Sequence, residues 1–103
     1  MDIRTLAVLP SARVRQCREE IEALVHAHHA TEPRVFGSVA RGEDQPGSDV
    51  DLLVEFTDKA TLLDEVGLRL ALADLLQVEV DVIALNSLRG PMRDRVLSEA
   101  VAI

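Results

Sequence analysis

Residues 35–56 read VFGSVARGEDQPGSDVDLLVEF, and the rest of the chain is organised around them. A short apolar strand ends in Gly37-Ser38. Val39 to Ser48 follow as a helical turn and a polar loop, and Asp49-Val50-Asp51 opens a second apolar strand that runs to Phe56. Gly37 has no side chain, so backbone can approach a ligand closely there. Ser38 offers a hydroxyl and an amide where a helical turn starts, and helix N-termini attract phosphate. Asp49 and Asp51 are two apart on a strand, so their carboxylates leave the same face. Hard oxygen ligands just after a phosphate-friendly turn suit a Mg²⁺–nucleotide site. Without the Gly-Ser turn, the same aspartates would read as the solvent face of an edge strand. Arg41 is placed either to grip phosphate bidentately or to sit on the surface near Glu43 and Asp44.

Outward from this stretch, the pattern alternates helix and strand. Upstream, Ser11 is a candidate N-cap for a helix over 12–29. Val14, Cys17, Ile21, Leu24, Val25 and His28 recur along it at helical spacing. Pro33 then marks a break, and 34–38 reads as the first strand. His26 and His29, three apart, could seat a metal, but cations near a helix C-terminus have a simpler electrostatic reason. Cys17 lies on the apolar stripe and reads as core. Downstream, a helix over 60–77 is apolar around most of its circumference, which predicts burial on more than one side, part of it against a partner. Val78 to Ala84 reads as a third strand, with Glu79 and Asp81 opposite its valines. Leu85 to Gly90 turns, and Pro91 suits the first position of a last helix that ends near Ala100. Arg89, Arg93 and Arg95, on or near that helix, read as a solvated face, within range of a nucleotide or an acidic partner.

The composition predicts one domain spanning 1–103: 48% of residues are hydrophobic and 28% charged. No apolar run approaches the roughly 20 residues of a membrane span. The N-terminal residues lack a signal-peptide pattern, which leads to a cytoplasmic expectation, and the single cysteine excludes an internal disulfide. The net charge is −7 and Lys59 is the only lysine. Nonspecific nucleic-acid binding runs on Lys and Arg neutralising phosphates. With Phe36 and Phe56 as the only aromatics, there is no base-stacking platform either. Nucleic acid is therefore a poor direct partner, whereas a basic protein suits the charge. Helices packed on a small sheet give an α/β fold.

Gly-Ser, ten residues, then Asp-x-Asp is the signature of the minimal nucleotidyltransferase family, related to DNA polymerase β, which residues 15–100 resemble. The resemblance implies a small mixed β-sheet packed with helices and a polymerase β-like core. It implies that Asp49, Asp51 and Asp81 are the catalytic acids and hold Mg²⁺, two ions in all, with Glu79 as the fallback for the third position. It implies that Gly37 and Ser38 hold the β- and γ-phosphates of ATP, with Arg41 as a further phosphate ligand. It further implies an antitoxin encoded beside a HEPN-domain RNase toxin, silencing it by transferring AMP to a tyrosine hydroxyl. Two alternatives stand beside that reading: a stoichiometric toxin-binding antitoxin with little catalysis, and a nucleotidyltransferase acting on RNA or a small molecule. The sequence ends at Ile103 after Ala100-Val101-Ala102, without the aromatic tail the resemblance leads one to expect, which leaves the packing of that end open.

Overall fold

The computed structural model describes residues 8–103. It contains α1 (Pro10–Gln16), α2 (Arg18–Ala27), β1 (Ala30–Phe36), α3 (Ser38–Arg41), β2 (Val50–Phe56), α4 (Leu62–Leu76), β3 (Val80–Ala84), a 3₁₀ turn (Leu85–Ser87), α5 (Gly90–Glu99) and β4 (Val101–Ala102). The strands form one mixed sheet in the order β3-β2-β1-β4. β1 runs antiparallel to β2 and β4, and β2 runs parallel to β3. The α/β class and the mixed sheet are as expected.

The first helix is not the single segment the periodicity suggested. It starts at Pro10, whose locked φ and missing N–H suit a first turn, and Leu9 rather than Ser11 stands at the N-cap. Cys17, at φ −101° and ψ 18°, interrupts it. α1 then reaches α3 while α2 lies along β1. Val14, Ile21 and Val25 are buried, as the apolar stripe required. α2 ends at Ala27, and His29 takes a positive φ of 58°. Its ring nitrogen lies 3.3 Å from Asp64 of α4; it borders one shallow hollow with His26, but among the described residues no group of three metal-ligating side chains forms.

Pro33 does not end a helix; it lies inside β1. Thr31 opposes Glu55 and Arg34 opposes Leu53, so three steps on β1 face two on β2. Glu32 absorbs the extra residue with φ 55°. A bulge is where a strand tolerates a residue without an N–H. β4 was not anticipated: two residues are too few for a visible alternation. Val101 opposes Val35 and Ala102 opposes Arg34, and this pairing sets the packing of the C-terminal residues.

The sheet carries two cores. On one face Val35, Val50, Leu52, Val54 and Val80 pack with α1, α2 and the Leu68, Leu72 and Leu76 row of α4. On the other, Leu53, Leu85 and Val96 form a smaller core with Phe36 and Ile83 beneath α5. Leu53 is therefore core, although it shares a face with Asp51. α4 is buried along one row only; Leu62, Leu63 and Leu70 are 73%, 82% and 56% exposed. Thr61 and Asp64 exchange capping-box hydrogen bonds at its start, which fixes where the helix begins.

The polar loop between the Gly-Ser turn and the aspartates is tethered by Asp44. This buried carboxylate accepts a 2.9 Å hydrogen bond from the Ser11 amide, in the first turn of α1. It satisfies one of the amides a helix start leaves unpaired and pins the loop that delivers Asp49. Asp44→Ala should lower stability by about 1 kcal/mol. Calorimetry should read this as a fall in Tm of roughly 4–8 °C.

Candidate active site

The site lies at one end of the sheet, where β1 finishes and β2 and β3 begin. Parallel pairing sets its geometry. Val50 opposes Val80, and Asp51 opposes Asp81. The Val50 amide donates to the Glu79 carbonyl at 2.9 Å and locks that register. Side chains of directly paired residues on neighbouring strands leave the same face, so the Asp51 and Asp81 carboxylates stand side by side. That face is opposite the valines that pack on α4. Asp49 sits just ahead of β2, exposed and close enough for its charge to act on Asp51.

Gly37 closes the other side. Phe36 opposes Asp51 across the antiparallel pair, so Gly37 follows directly beyond it. A Cβ at Gly37 would collide with Oδ2 of Asp51. Its φ of 72° and ψ of −149° also fall in a region that side-chain-bearing residues avoid. Two independent constraints, space and backbone, thus require glycine here. Ser38 opens α3, and no side chain caps the amides of that turn.

The electrostatics are those of crowded anions. The carboxyl of Asp51 is raised above its ordinary value, first by burial, then by repulsion from Asp81 and Asp49; the Arg41 guanidinium opposes the rise. Arg41 also pairs with Glu43, Nε to Oε2 at 3.0 Å. Arg41 is therefore the surface ion pair with Glu43 that the loop composition suggested, and its charge also reaches Asp51. No arginine of α5 is among the charges acting on Asp51. Arg89 instead donates to the carbonyls of Asn86 and Leu88, and Arg95 pairs with Glu99.

The donor set suits a hard cation: carboxylate oxygens from adjacent strand starts, mutually repelling, with one partly shared cationic side chain nearby. Among the described residues, no three acidic, histidine or cysteine groups are already drawn together at ligating range. Asp51 and Asp81 are paired by the backbone; Asp49 approaches from the loop.

Two supporting residues had no sequence signal. Asp44 reads as one more polar loop residue until its amide partner is seen. Asn86 forms a two-way bridge to the backbone of Phe56, 3.0 Å from the Phe56 amide to Oδ1 and 3.3 Å from Nδ2 to the Phe56 carbonyl. It ties the turn after β3 to the end of β2.

Comparison with known proteins places these features in a family. Residues 14–103 match the nucleotidyltransferase domain. A candidate protein adenylyltransferase of Methanocaldococcus jannaschii, MJ0435, is 38% identical over 87% of this chain and 97% of its own length. Protein adenylyltransferase MntA of Thermococcus cleftensis is 38% identical over 82% of this chain and 94% of its own. Among solved structures, a candidate minimal nucleotidyltransferase superposes with a TM-score of 0.82 at 45% identity, covering 90% of this chain and 95% of that one. A toxin–antitoxin complex with AMP-PNP and the MntA–HepT toxin–antitoxin complex share the fold, with TM-scores of 0.67 and 0.64 at 20% identity each; they cover 89% and 84% of this chain, and 70% and 68% of theirs. The chain belongs to the nucleotidyltransferase domain family.

A raised carboxyl pKa works against folding. Below the ordinary carboxylate value of 3.8 the group is protonated in both states and makes no difference; as pH rises through the raised value, the folded state alone bears the penalty of the charge. Asp51→Asn should therefore melt higher than the parent at neutral pH, with the gap closing as pH falls below that range. Melting curves from about pH 3 to about pH 8 check this. Gly37→Ala should cost roughly 1–3 kcal/mol, read by urea unfolding.

Proposed function

We propose that this nucleotidyltransferase domain is a Mg²⁺-dependent protein adenylyltransferase that acts as an antitoxin. It transfers AMP from ATP to a hydroxyl, a tyrosine hydroxyl, on a HEPN-domain RNase toxin. The observation that carries the reading is the pairing of Asp51 with Asp81 beside a Gly37 backbone that admits no side chain. The names of the relatives support protein adenylylation, and the toxin–antitoxin complexes of the same fold support the choice of acceptor.

Each residue has a defined task. The amides of Gly37 and Ser38, with the Ser38 hydroxyl, take the β- and γ-phosphates, and Arg41 adds positive charge beside them. Asp49, Asp51 and Asp81 hold the metal, two ions in the full site. A bound divalent cation supplies neutralisation of the triphosphate and of the charge that develops on the attacking and leaving oxygens. The acceptor oxygen attacks the α-phosphorus. Its bond to that phosphorus forms as the bond to the β-bridging oxygen breaks, pyrophosphate leaves with the bonding pair, and the hydroxyl proton passes to an Asp81 carboxylate oxygen. The protein's share is positioning and charge balance, which dominate phosphoryl-type transfer. Asp49 and Asp81 are exposed, which suits an acceptor carried on a second protein.

The test is label transfer from α-labelled ATP with Mg²⁺ to a purified HEPN toxin, with the Asp49→Ala, Asp51→Ala double variant as control. Label should appear on the toxin, survive denaturation, map to tyrosine by mass and fall to background in the variant. A tight complex without label would favour the stoichiometric antitoxin, and label on RNA would move the acceptor to nucleic acid.

A further inference from the structure

We infer that the outer row of α4 is a self-association surface that takes a second copy of this chain. The row is Leu62, Val66 and Leu70, with Leu63 beside it; all four are exposed, Leu63 most of all. The inner row of the same helix, Leu68, Leu72 and Leu76, is fully used by the core. Leu62, Val66 and Val82 also line a shallow groove of about 220 Å³ with Glu65 and Arg69. Val82 belongs to β3, one of the two edge strands of the sheet. The apolar surface therefore continues from the helix onto an unpaired edge. Soluble proteins seldom leave such surface uncovered without a use.

The occupant follows from the symmetry of the row. Leu62 and Leu70 lie four residues either side of Val66. A two-fold axis through Val66, with the two helices antiparallel, sets Leu62 of each copy against Leu70 of the other and Val66 against Val66. Glu65 and the partner copy's Arg69 lie two residues from direct opposition, about 3 Å along the axis and within reach of the arginine side chain. Each copy contributes one acid and one base, so the two ion pairs are satisfied reciprocally, as an isologous interface demands. The groove carries one charge of each sign, so nothing in it favours a strongly acidic or basic stranger. The Asp51 and Asp81 carboxylates leave the opposite face of the sheet, so both catalytic ends stay open in the dimer. The inference is independent of what the site does. One helix face makes a small interface, below the range of permanent dimers, so association should be concentration-dependent.

Sedimentation velocity on the whole chain, from micromolar to near-millimolar concentration, tests it. The parent should shift from monomer to dimer. Arg69→Glu and Glu65→Arg should each weaken the dimer by about tenfold or more, because each sets like charges against each other. The E65R/R69E double variant should restore it. Both positions lie on the helix surface, and circular dichroism verifies that the variants fold. A chain that stays monomeric throughout would overturn the inference. So would a dimer indifferent to both reversals, or protection of 62–70 from hydrogen exchange only by an unlike protein.

Discussion

The repulsion among Asp49, Asp51 and Asp81 is the constraint on which the rest of this structure depends. Parallel pairing of β2 with β3 sets two of these acids side by side, and the loop pinned by Asp44 brings the third into range. Adjacent carboxylates disfavour one another's ionised forms, and the raised carboxyl pKa of Asp51 reflects its burial first and then the repulsion from Asp81 and Asp49. A fold optimised for stability alone would not keep them. What holds them is the two-sided core: helices α1, α2 and α4 beneath, α5 and the 3₁₀ turn above the far half of the sheet. The uncovered half of that second face is where the acids stand. On the proposed reading, a divalent cation would convert their mutual repulsion into shared attraction, and the glycine at position 37, which leaves no side chain against Asp51, would let a phosphate chain lie alongside.

Much of this was legible in the sequence because the decisive elements carry local signals. β2 announced itself by an alternation broken only at Leu53, and α4 by its apolar density. The Gly-Ser, ten-residue, Asp-x-Asp spacing located the site end of the sheet. A third valine-rich alternation placed Asp81 and Glu79 on one face and the family resemblance favoured Asp81; in the structure Asp81 lies directly opposite Asp51, while Glu79 precedes the strand.

The parts that were not legible depend on distant partners. Pro33 reads as a breaker until the bulge against β2 accommodates it. The break at Cys17 lies inside an unbroken apolar stripe, and periodicity cannot report a change of helix direction. β4 takes its identity from β1 rather than from its own two residues. Leu53 shares a face with Asp51, and only the arrival of α5 over the sheet makes it core. On α4 the helix is apolar on two sides, and this chain by itself covers one of them. Among the described residues no helix is long and apolar enough to cross a membrane, so that exposed row is not a bilayer span.

The central claim is that Gly37, Ser38 and the three aspartates form one site for a cation-bound nucleotide. Titrating Mn²⁺ with a non-hydrolysable ATP analogue into isotope-labelled protein measures it residue by residue, because a paramagnetic ion broadens only the amides near it. Broadening centred on Gly37, Ser38, Asp49 to Asp51 and Asp81, and abolished by Asp51→Asn, is the predicted result. Broadening centred on His26 and His29, or an unchanged spectrum at saturating nucleotide, would contradict the account.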